Sequence, residues 1–352
     1  MRDEVIYFLE KEVKGGSIPG AVISVRQENK QLMTAAVGEA VVYPDKEKMD
    51  LNTVFDLASL TKVVCTLPLI LKFVASGEIH LHERVCFFLE EFATEDKREI
   101  TVHQLLTHTS GLPASRDFYK ESTEPKEILN LIAATPLQAT SGRKVIYSDL
   151  GFIVLYKLIE KLASQRLDVF AKRELFEPLG MNETAFNPNY DLNRFASTEY
   201  DEASGRWLRG VVHDENARFM GGISGHAGLF STVADLGNYV TALSNDGLFK
   251  HREIIAVPTL KLAAKNHTPF AAEARGLGWL LKSSNPSSCG DLFSASSYGH
   301  TGFTGTSIWI DPIDDLQVIL LTNRVHFGRG TGILRLRPRL HNLIKSHMRS
   351  LL

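Results

Sequence analysis

Strand patterns stand at the two ends of this 352-residue chain, and helical patterns fill its middle. From about residue 80 to 265 apolar residues recur mostly at helical spacing. Strands from both ends bury their apolar faces most simply by joining one sheet. The sequence therefore predicts an α/β (α+β) fold, with one antiparallel sheet from both termini, flanking helices and an inserted, mostly helical lobe. The β-rich runs are residues 21–25, 32–37, 278–281, 307–310 and 316–321.

The expected lobes follow from this order of elements. Residues 1–58 together with 270–352 form the predicted sheet lobe, and residues 59–269 form the mainly helical lobe. Amphipathic segments at 3–14 and roughly 332–350 are the helices expected to flank the sheet. Because ligand sites favour the clefts between such units, we expect the active site between the lobes.

The composition excludes several classes of protein. With 44% hydrophobic and 23% charged residues and a net charge of −2, the chain is neither disordered nor fibrous. Its charge gives no electrostatic reason to expect nucleic acid or an anionic membrane as a partner. No apolar stretch in the sequence reaches the roughly 18 residues of a membrane span.

The composition and the first residues predict a cytoplasmic protein. Three cysteines, Cys65, Cys86 and Cys289, are too few and too scattered for a disulfide framework. The first residues lack the basic and then apolar pattern of a secretory signal. A leader removed from a precursor is the alternative. The oligomeric state stays open.

Ser59 stands three residues before Lys62 at the start of an apolar helical pattern. Positions i and i+3 share a helix face, so the hydroxyl and the amine are expected to meet. The positive end of a helix also favours a developing oxyanion, and this set of groups suits covalent acyl transfer. Alone the pattern is weak, because an N-cap serine with a surface lysine gives it too. A second copy, Ser141 to Lys144, has Gly142 and no apolar periodicity, which indicates a loop.

Two further clusters carry possible chemistry. Tyr147, Ser148 and Asp149 directly precede a helical pattern at 149–163. A tyrosine serves as a general base when cations lower its pKa from about 10, although an interfacial aromatic beside a capping serine is the alternative. The third cluster, residues 300–305, reads His-Thr-Gly-Phe-Thr-Gly at a strand edge, where glycines allow a ligand close to the backbone. A glycine-rich turn is the alternative there.

Together, in this order, the three clusters resemble the motifs of serine β-lactamases, low-molecular-weight penicillin-binding proteins and related serine esterases. The likeness is strongest to the class C branch and spans about residues 15–325. Ser59–Lys62 matches the first motif, Tyr147–Asp149 the Tyr-x-Asn position and His300–Gly302 the Lys-Thr-Gly position. Residues 106–113 and 225–232 are similar to further segments of that family.

The resemblance implies a role for each matched residue. Ser59 would be the nucleophile, and Lys62 and Tyr147 would share the role of base. The backbone N–H groups of Ser59 and Phe303 would form the oxyanion hole, and no metal or organic cofactor would be needed. Lys62 acts as a base only if its pKa is depressed, which burial beside another group would do. The substrate-binding residues would be Asp149, His300, Thr301, Gly302 and Phe303.

Two departures from the family pattern affect the expected substrate. Asp149 replaces an asparagine, and an ionised carboxylate does not donate a hydrogen bond to a substrate carbonyl. His300 replaces a lysine, and at its ordinary pKa of about 6.5 it is mostly neutral at pH 7. Both changes weaken the expected recognition of a β-lactam or of a substrate carboxylate.

The predicted function is that of a serine acyl-transfer hydrolase with a small-molecule or peptide substrate. A cell-wall D-amino-acid peptide, a β-lactam and a small ester all fit. The alternatives are a penicillin-binding or sensing module that acylates with little turnover, a plain carboxylesterase, and a catalytically silent scaffold. The polar segment 212–217 is expected either to line the cleft or to cap the next element.

Overall fold

Seven strands join in one antiparallel sheet in the computed structural model, which describes residues 1–28, 30–283 and 286–348. The sheet order is β11-β12-β13-β14-β1-β2-β3, and further short strands form three small sheets. The strands are β1 (Gly20–Gln27), β2 (Lys30–Val41), β3 (Glu47–Lys48), β4 (Phe55–Asp56), β5 (Ala185–Phe186), β6 (Tyr200–Asp201), β7 (Arg206–Trp207), β8 (Leu229–Ser231), β9 (Leu248–Phe249), β10 (Arg252–Glu253), β11 (Leu280–Leu281), β12 (Tyr298–Thr301), β13 (Ser307–Asp311) and β14 (Leu316–Thr322).

Eleven α-helices lie in the described part of the chain, together with shorter 3₁₀ and π turns. The helices are α1 (Arg2–Lys14), α2 (Leu67–Ser76), α3 (Val102–Leu106), α4 (Phe118–Glu121), α5 (Ile128–Ala133), α6 (Asp149–Ala163), α7 (Leu167–Ala171), α8 (Glu215–Phe219), α9 (Val233–Ser244), α10 (Val257–Ala263) and α11 (Gly332–Ser346).

The two ends of the chain meet at the middle of the large sheet. Strand β1 pairs on one side with β14, with Ala21 opposite Thr322, and on the other side with β2, with Val22 opposite Ala36. This pairing confirms the predicted antiparallel sheet from both termini. The limits of the two lobes, at 58/59 and 269/270, stay a prediction.

Alternating side chains of the sheet serve two separate cores. In β1, Ile23 and Val25 face the terminal helices α1 and α11, while Val22 faces the helical region. This alternation follows from the two-residue period of a strand. The helices on the first face contribute Leu9 and Leu340, both fully buried.

The apolar segment after Ser59 is a continuous run of three helix types. A 3₁₀ turn (Ala58–Leu60) leads into a π turn (Lys62–Thr66) and then into α2. The π turn directly precedes Pro68, which has no N–H to donate to residue 64. The run ends at Gly77, whose φ is +78°.

The length of this run corrects one expectation. Residues 58–76 form a helix of 19 residues that is long and apolar enough to cross a membrane, although no such stretch was expected. The sequence pattern understated it because Lys62 and Lys72 interrupt the run. Since 78% of the tested window is buried inside the protein, the helix shows the burial of a core helix.

Most long helices match their sequence patterns, and the short elements do not. Helix α6 spans the predicted 149–163, where the Ser148 side chain accepts from the Gly151 N–H. Within residues 187–220, where the sequence shows no clear helical or strand period, the structure contains β6, β7 and α8. Elements of two to five residues are too short to show a period. Residue 29, which lies between the β-rich runs 21–25 and 32–37, and residues 349–350 of the last predicted helix lie outside the described residues.

Lys345 joins α11 to the far end of the sheet. Its ammonium lies 2.5 Å from Asp311 Oδ2 and also contacts Asp314, and the Asp311 side chain is fully buried. Burial raises the pKa of Asp311, but Lys345 and two hydrogen bonds from Ser294 lower it more, so that it lies below 3.8.

Lys345→Met leaves a buried carboxylate without its cation. We expect the free energy of unfolding at pH 7 to fall by about 3 kcal/mol, measured by urea denaturation. A carboxyl group with a depressed pKa stabilises above its ordinary pKa and ceases to do so as pH falls through the folded value. The difference from the parent protein therefore shrinks below pH 3.8. The control Lys48→Met removes an exposed ion pair and should cost about 0.5 kcal/mol or less. An equal loss for both variants would contradict the assignment.

Candidate active site

Ser59 lies half-buried in the first turn of its helix, with its hydroxyl against Lys62. The Lys62 Nζ is 3.1 Å from Ser59 Oγ, as the i, i+3 spacing predicted. The preceding residue, Ala58, has a φ of +46°, a left-handed conformation that costs an alanine free energy. The Ala58 N–H donates to the buried Asp56 Oδ1 at 2.8 Å, which holds this strained residue in place.

Lys62 is fully buried and has three oxygen neighbours. Besides Ser59, its Nζ donates to the carbonyl oxygen of His226 at 3.0 Å and lies 2.6 Å from Asp149 Oδ1. Burial lowers the pKa of Lys62, but the Asp149 carboxylate and Tyr147 raise it more, so the net pKa is above 10.5. The depressed pKa that Lys62 needs in order to act as a base is therefore not present here, because its neighbour at position 149 is an anion.

Tyr147 is enclosed by aromatic and cationic groups. Its ring centroid is 4.5 Å from that of His108 and 5.9 Å from that of His300. The Arg275 guanidinium lies 5.2 Å and the Lys62 ammonium 5.1 Å from the same centroid. Two cations thus lie against the Tyr147 ring, and of these Lys62 is the one that also contacts Ser59.

Neither histidine beside Tyr147 supplies a charge. Burial, and then Arg275 and Lys62, hold the pKa of both His108 and His300 well below 6.5. His300 Nδ1 is 2.9 Å from the Thr301 carbonyl oxygen, so a neutral ring donates from that nitrogen. His300 therefore does not anchor a carboxylate by charge at neutral pH.

Gly302 lets the end of β12 lie against the residues just before Ser59. A side chain at this position would place its Cβ 2.5 Å from the Leu57 carbonyl oxygen. Thr306 donates to that same oxygen at 3.0 Å, and Thr304 donates to the Asp56 carbonyl oxygen at 2.8 Å. The next residue, Phe303, has a backbone N–H with no acceptor in the described chain. These contacts bring Phe303 to the Ser59 turn, as an oxyanion hole requires.

Most of the predicted residues line one cleft of about 500 Å³. Asp149 does not border it and lies behind, against Lys62. The predicted residues that border the cleft are Ser59, Tyr147, His300, Thr301, Gly302 and Phe303.

Three arginines of the same cleft were missed from the sequence. Arg275, Arg324 and Arg337 border it, together with Glu273, which pairs with Arg275. No motif marks Arg275 or Arg324. The burial of Arg337 could have been predicted from the sequence, because it lies at helical spacing on the apolar stripe of α11 that includes Ile333 and Leu340.

Arg337 fixes the backbone of the third motif. Its Nη2 donates to the carbonyl oxygens of Gly302 at 3.1 Å and Thr306 at 2.8 Å. Burial, with a contribution from Arg324, lowers its pKa to about 9, so it is charged at neutral pH. Arg324 donates to the Phe303 carbonyl oxygen at 2.9 Å. Two cations thus support the turn that presents the Phe303 N–H.

The segment 212–217 and the second Ser-x-x-Lys copy are not on the cleft. Asp214 caps α8 by accepting the Ala217 N–H at 2.8 Å, so the capping alternative describes it. Ser141 donates to the Ser110 carbonyl oxygen in a loop, and Lys144 is exposed, in agreement with the loop interpretation.

Known proteins are similar to this chain in sequence and in fold. The family model described as Beta-lactamase matches residues 7–340. An N-acetylmuramyl-L-alanine amidase of Bacillus subtilis (strain 168) is 32% identical, over 92% of this chain and 81% of its own. An Escherichia coli (strain K12) protein, provisionally named a D-alanyl-D-alanine carboxypeptidase, is 29% identical over 88% and 79%.

A solved structure agrees with the architecture. EstCE1, described as a hydrolase with promiscuous acyltransferase activity, superposes with a TM-score of 0.78 at 22% identity, over 97% of this chain and 98% of its own. The expected mixed α/β fold is that of this neighbour. With the family model covering nearly the whole sequence, this chain belongs to the Beta-lactamase family and is a serine hydrolase.

Proposed function

We propose that this serine acyl-transfer hydrolase cleaves an amide or ester bond next to a free carboxylate, and that a C-terminal D-amino-acid peptide is its substrate. The reaction passes through an acyl-enzyme on Ser59. The observation that carries the proposal is Arg275, a nearly buried guanidinium in the same cleft as Ser59 and Tyr147.

The charges of the cleft favour an anionic substrate. Arg275 Nε donates to Glu273 Oε1 at 2.8 Å, and Nη2 contacts the same oxygen, which leaves Nη1 for a ligand. Arg324 and Arg337 add positive charge, and Glu273 is the one acidic residue bordering the cleft in the described chain. A planar guanidinium binds a carboxylate well. Arg275 thus supplies from a loop the anchor that neutral His300 lacks.

The relatives support the choice of bond. The names of the Bacillus subtilis and Escherichia coli relatives describe an amidase and a carboxypeptidase. A carboxypeptidase removes the last residue of a peptide, so its scissile amide lies beside a free carboxylate. That arrangement suits a carbonyl at Ser59 and a carboxylate at Arg275.

The chemistry proceeds in two steps. Ser59 Oγ attacks the carbonyl carbon, and the N–H groups of Ser59 and Phe303 stabilise the oxyanion. Lys62 first passes one proton to the Asp149 carboxylate 2.6 Å away, assisted by Tyr147 beside it, and the neutral amine then accepts the proton of Ser59 Oγ. The proton then passes to the leaving amine, and water hydrolyses the acyl-enzyme.

Asp149 argues against efficient β-lactam hydrolysis. The family has an amide there that donates to the substrate, whereas this carboxylate only accepts and is paired with Lys62 at 2.6 Å. A plain esterase is a distinct outcome of the test, because a neutral ester has no carboxylate for Arg275 to bind.

Arg275→Gln should separate carboxylate recognition from catalysis. On a peptide ending in D-Ala-D-Ala we expect kcat/KM to fall about 10- to 100-fold, because a charge-assisted hydrogen bond contributes about 1.5–3 kcal/mol. Turnover of a neutral p-nitrophenyl ester should change less than about 3-fold. Ser59→Ala should abolish both activities.

The matched control is Arg166→Gln. Arg166 is exposed, pairs with Asp168 and does not border the cleft. It should leave both substrates unaffected. Equal losses on peptide and ester for Arg275→Gln would argue against carboxylate recognition. Ester turnover by the parent protein without any peptide cleavage would identify an esterase.

Asp149→Asn should move the pH profile of acylation to lower pH. Without the anion, burial lowers the pKa of Lys62, so the neutral amine forms at lower pH. We expect a shift of about 1–2 pH units in the single-turnover acylation rate, followed between pH 6 and 10. Asp168→Asn, at an exposed ion pair, should not shift the profile. An unmoved profile would show that Asp149 does not set the protonation of Lys62.

Gly302→Ala should displace the oxyanion-hole donor. The added methyl group has no room beside Leu57 and Thr306, so the turn with Phe303 must move. We expect acylation to slow about 10²- to 10³-fold, as on loss of one oxyanion donor, while thermal unfolding stays cooperative. The control is Gly330→Ala, since nothing lies within 4 Å of an added Cβ there. Comparable rates for the two variants would refute the role of Phe303.

A further inference from the structure

A second set of serine, histidine and carboxylate lies behind Lys62. Ser224 Oγ is 2.8 Å from His226 Nδ1, and His226 Nε2 is 2.8 Å from Asp214 Oδ1. Ser224 is fully buried and His226 is 1% exposed, so no substrate reaches this serine. The set is therefore not a second hydrolytic site, and its function must act through its neighbours.

The loop that carries Ser224 and His226 contacts the helix that begins at the Ser59 turn. The backbone carbonyl oxygen of His226 accepts from Lys62 Nζ at 3.0 Å, and that of Gly225 accepts from Thr66 Oγ1 at 2.7 Å. If Gly225 carried a side chain, its Cβ would overlap the carbonyl oxygen of Phe152 in α6. The loop thus lies flat between two helices, and its carbonyl groups point to one face of the Ser59 helix.

Asp214 anchors this loop from outside. Its Oδ1 accepts both from the Ala217 N–H at 2.8 Å, as cap of α8, and from the His226 ring. Burial raises the pKa of Asp214, but His226 and the capping N–H lower it more, so the group is a carboxylate. The imidazole is therefore held at both nitrogens, and the carbonyl of the same residue has one fixed direction.

The residue beside Asp214 supports the other side of the nucleophile. The His213 N–H donates to Asp56 Oδ2 at 2.7 Å, and Asp56 Oδ1 holds the strained Ala58. The His213 ring also stacks on Phe303, with centroids 5.6 Å apart. Two adjacent residues thus reach both the lysine and the oxyanion side of the site.

We propose that Asp214 and His226, with Ser224, are positioning residues that hold the His226 carbonyl so that Lys62 is aligned on Ser59. The inference rests on the proposed roles of Ser59 and Lys62. Because a small displacement of a catalytic group slows the chemical step far more than it weakens binding, the loss should appear in acylation and not in KM.

The experiment compares Asp214→Ala and His226→Phe with the parent protein. The probe is a fluorophosphonate that labels the active-site serine, followed by mass spectrometry, together with single-turnover acylation by a p-nitrophenyl ester. We expect both rates to fall about 10- to 100-fold with KM changed less than about 3-fold. Asp214→Asn keeps a capping and accepting oxygen and should restore acylation to within about 5-fold of the parent rate.

The control is His341→Phe. This buried histidine has its Nδ1 2.7 Å from the Ser288 carbonyl oxygen, packs on Phe293 and does not border the cleft. It should lower stability to a similar extent, measured by thermal unfolding, and leave labelling unchanged. If either disruptive variant fails to fold, Ser224→Ala replaces it, with an expected loss of about 3- to 10-fold.

Two outcomes overturn the inference separately from the function. Labelling of the parent at Ser59, with the variants labelled at the parent rate or slowed only as much as His341→Phe, shows that the buried set is merely structural. Absence of labelling at Ser59 in the parent, with Ser59→Ala as reference, overturns the proposed function, and the positioning role is overturned with it.

Discussion

The buried ammonium of Lys62 is the interaction on which the rest of the site depends. Removing a charge from water costs several kcal/mol unless partners compensate it. Its oxygen partners come from three separate places: Ser59 on the same helix, Asp149 at the start of α6, and the carbonyl of His226 in the loop before β8. The charge is thus tolerated only when these three elements pack together, so the catalytic geometry and the core of the helical region form as one unit.

This arrangement explains how two substituted motif positions fit together. A carboxylate at 149 neutralises Lys62 at 2.6 Å, and a buried neutral imidazole at 300 avoids placing another cation beside Lys62 and Arg275. A lysine at 300 would have brought a third positive charge against Tyr147. In the proposed function the positive charge for a substrate comes instead from Arg275, whose guanidinium lies over the Tyr147 ring. The site therefore stays cationic, but its positive charge is at position 275 and not at position 300.

The sequence was informative where the chemistry is local. Spacing alone placed Ser59 against Lys62, and the cap at Ser148 marked the first residue of α6. It was uninformative where the outcome depends on distance across the fold. The sign of the Lys62 pKa shift is set by Asp149, 87 positions away, and burial alone suggested the opposite sign. Arg275 had no motif, and its place in the cleft follows only from how the chain before β11 returns to Tyr147.

The oxyanion side depends on a junction between the large sheet and the helical region. Asp56 ends strand β4, which belongs to a small sheet with β8, and Leu57 follows it. The carbonyl oxygens of Asp56 and Leu57 accept from Thr304 and Thr306 beyond β12. Gly302 permits this approach, and the strained Ala58 follows at once. The oxyanion hole proposed for the Ser59 and Phe303 N–H groups therefore depends on both sides of the junction. Because a strained residue persists only where its surroundings over-determine it, the contacts of Asp56 hold Ala58, and with it the position of the proposed nucleophile Ser59.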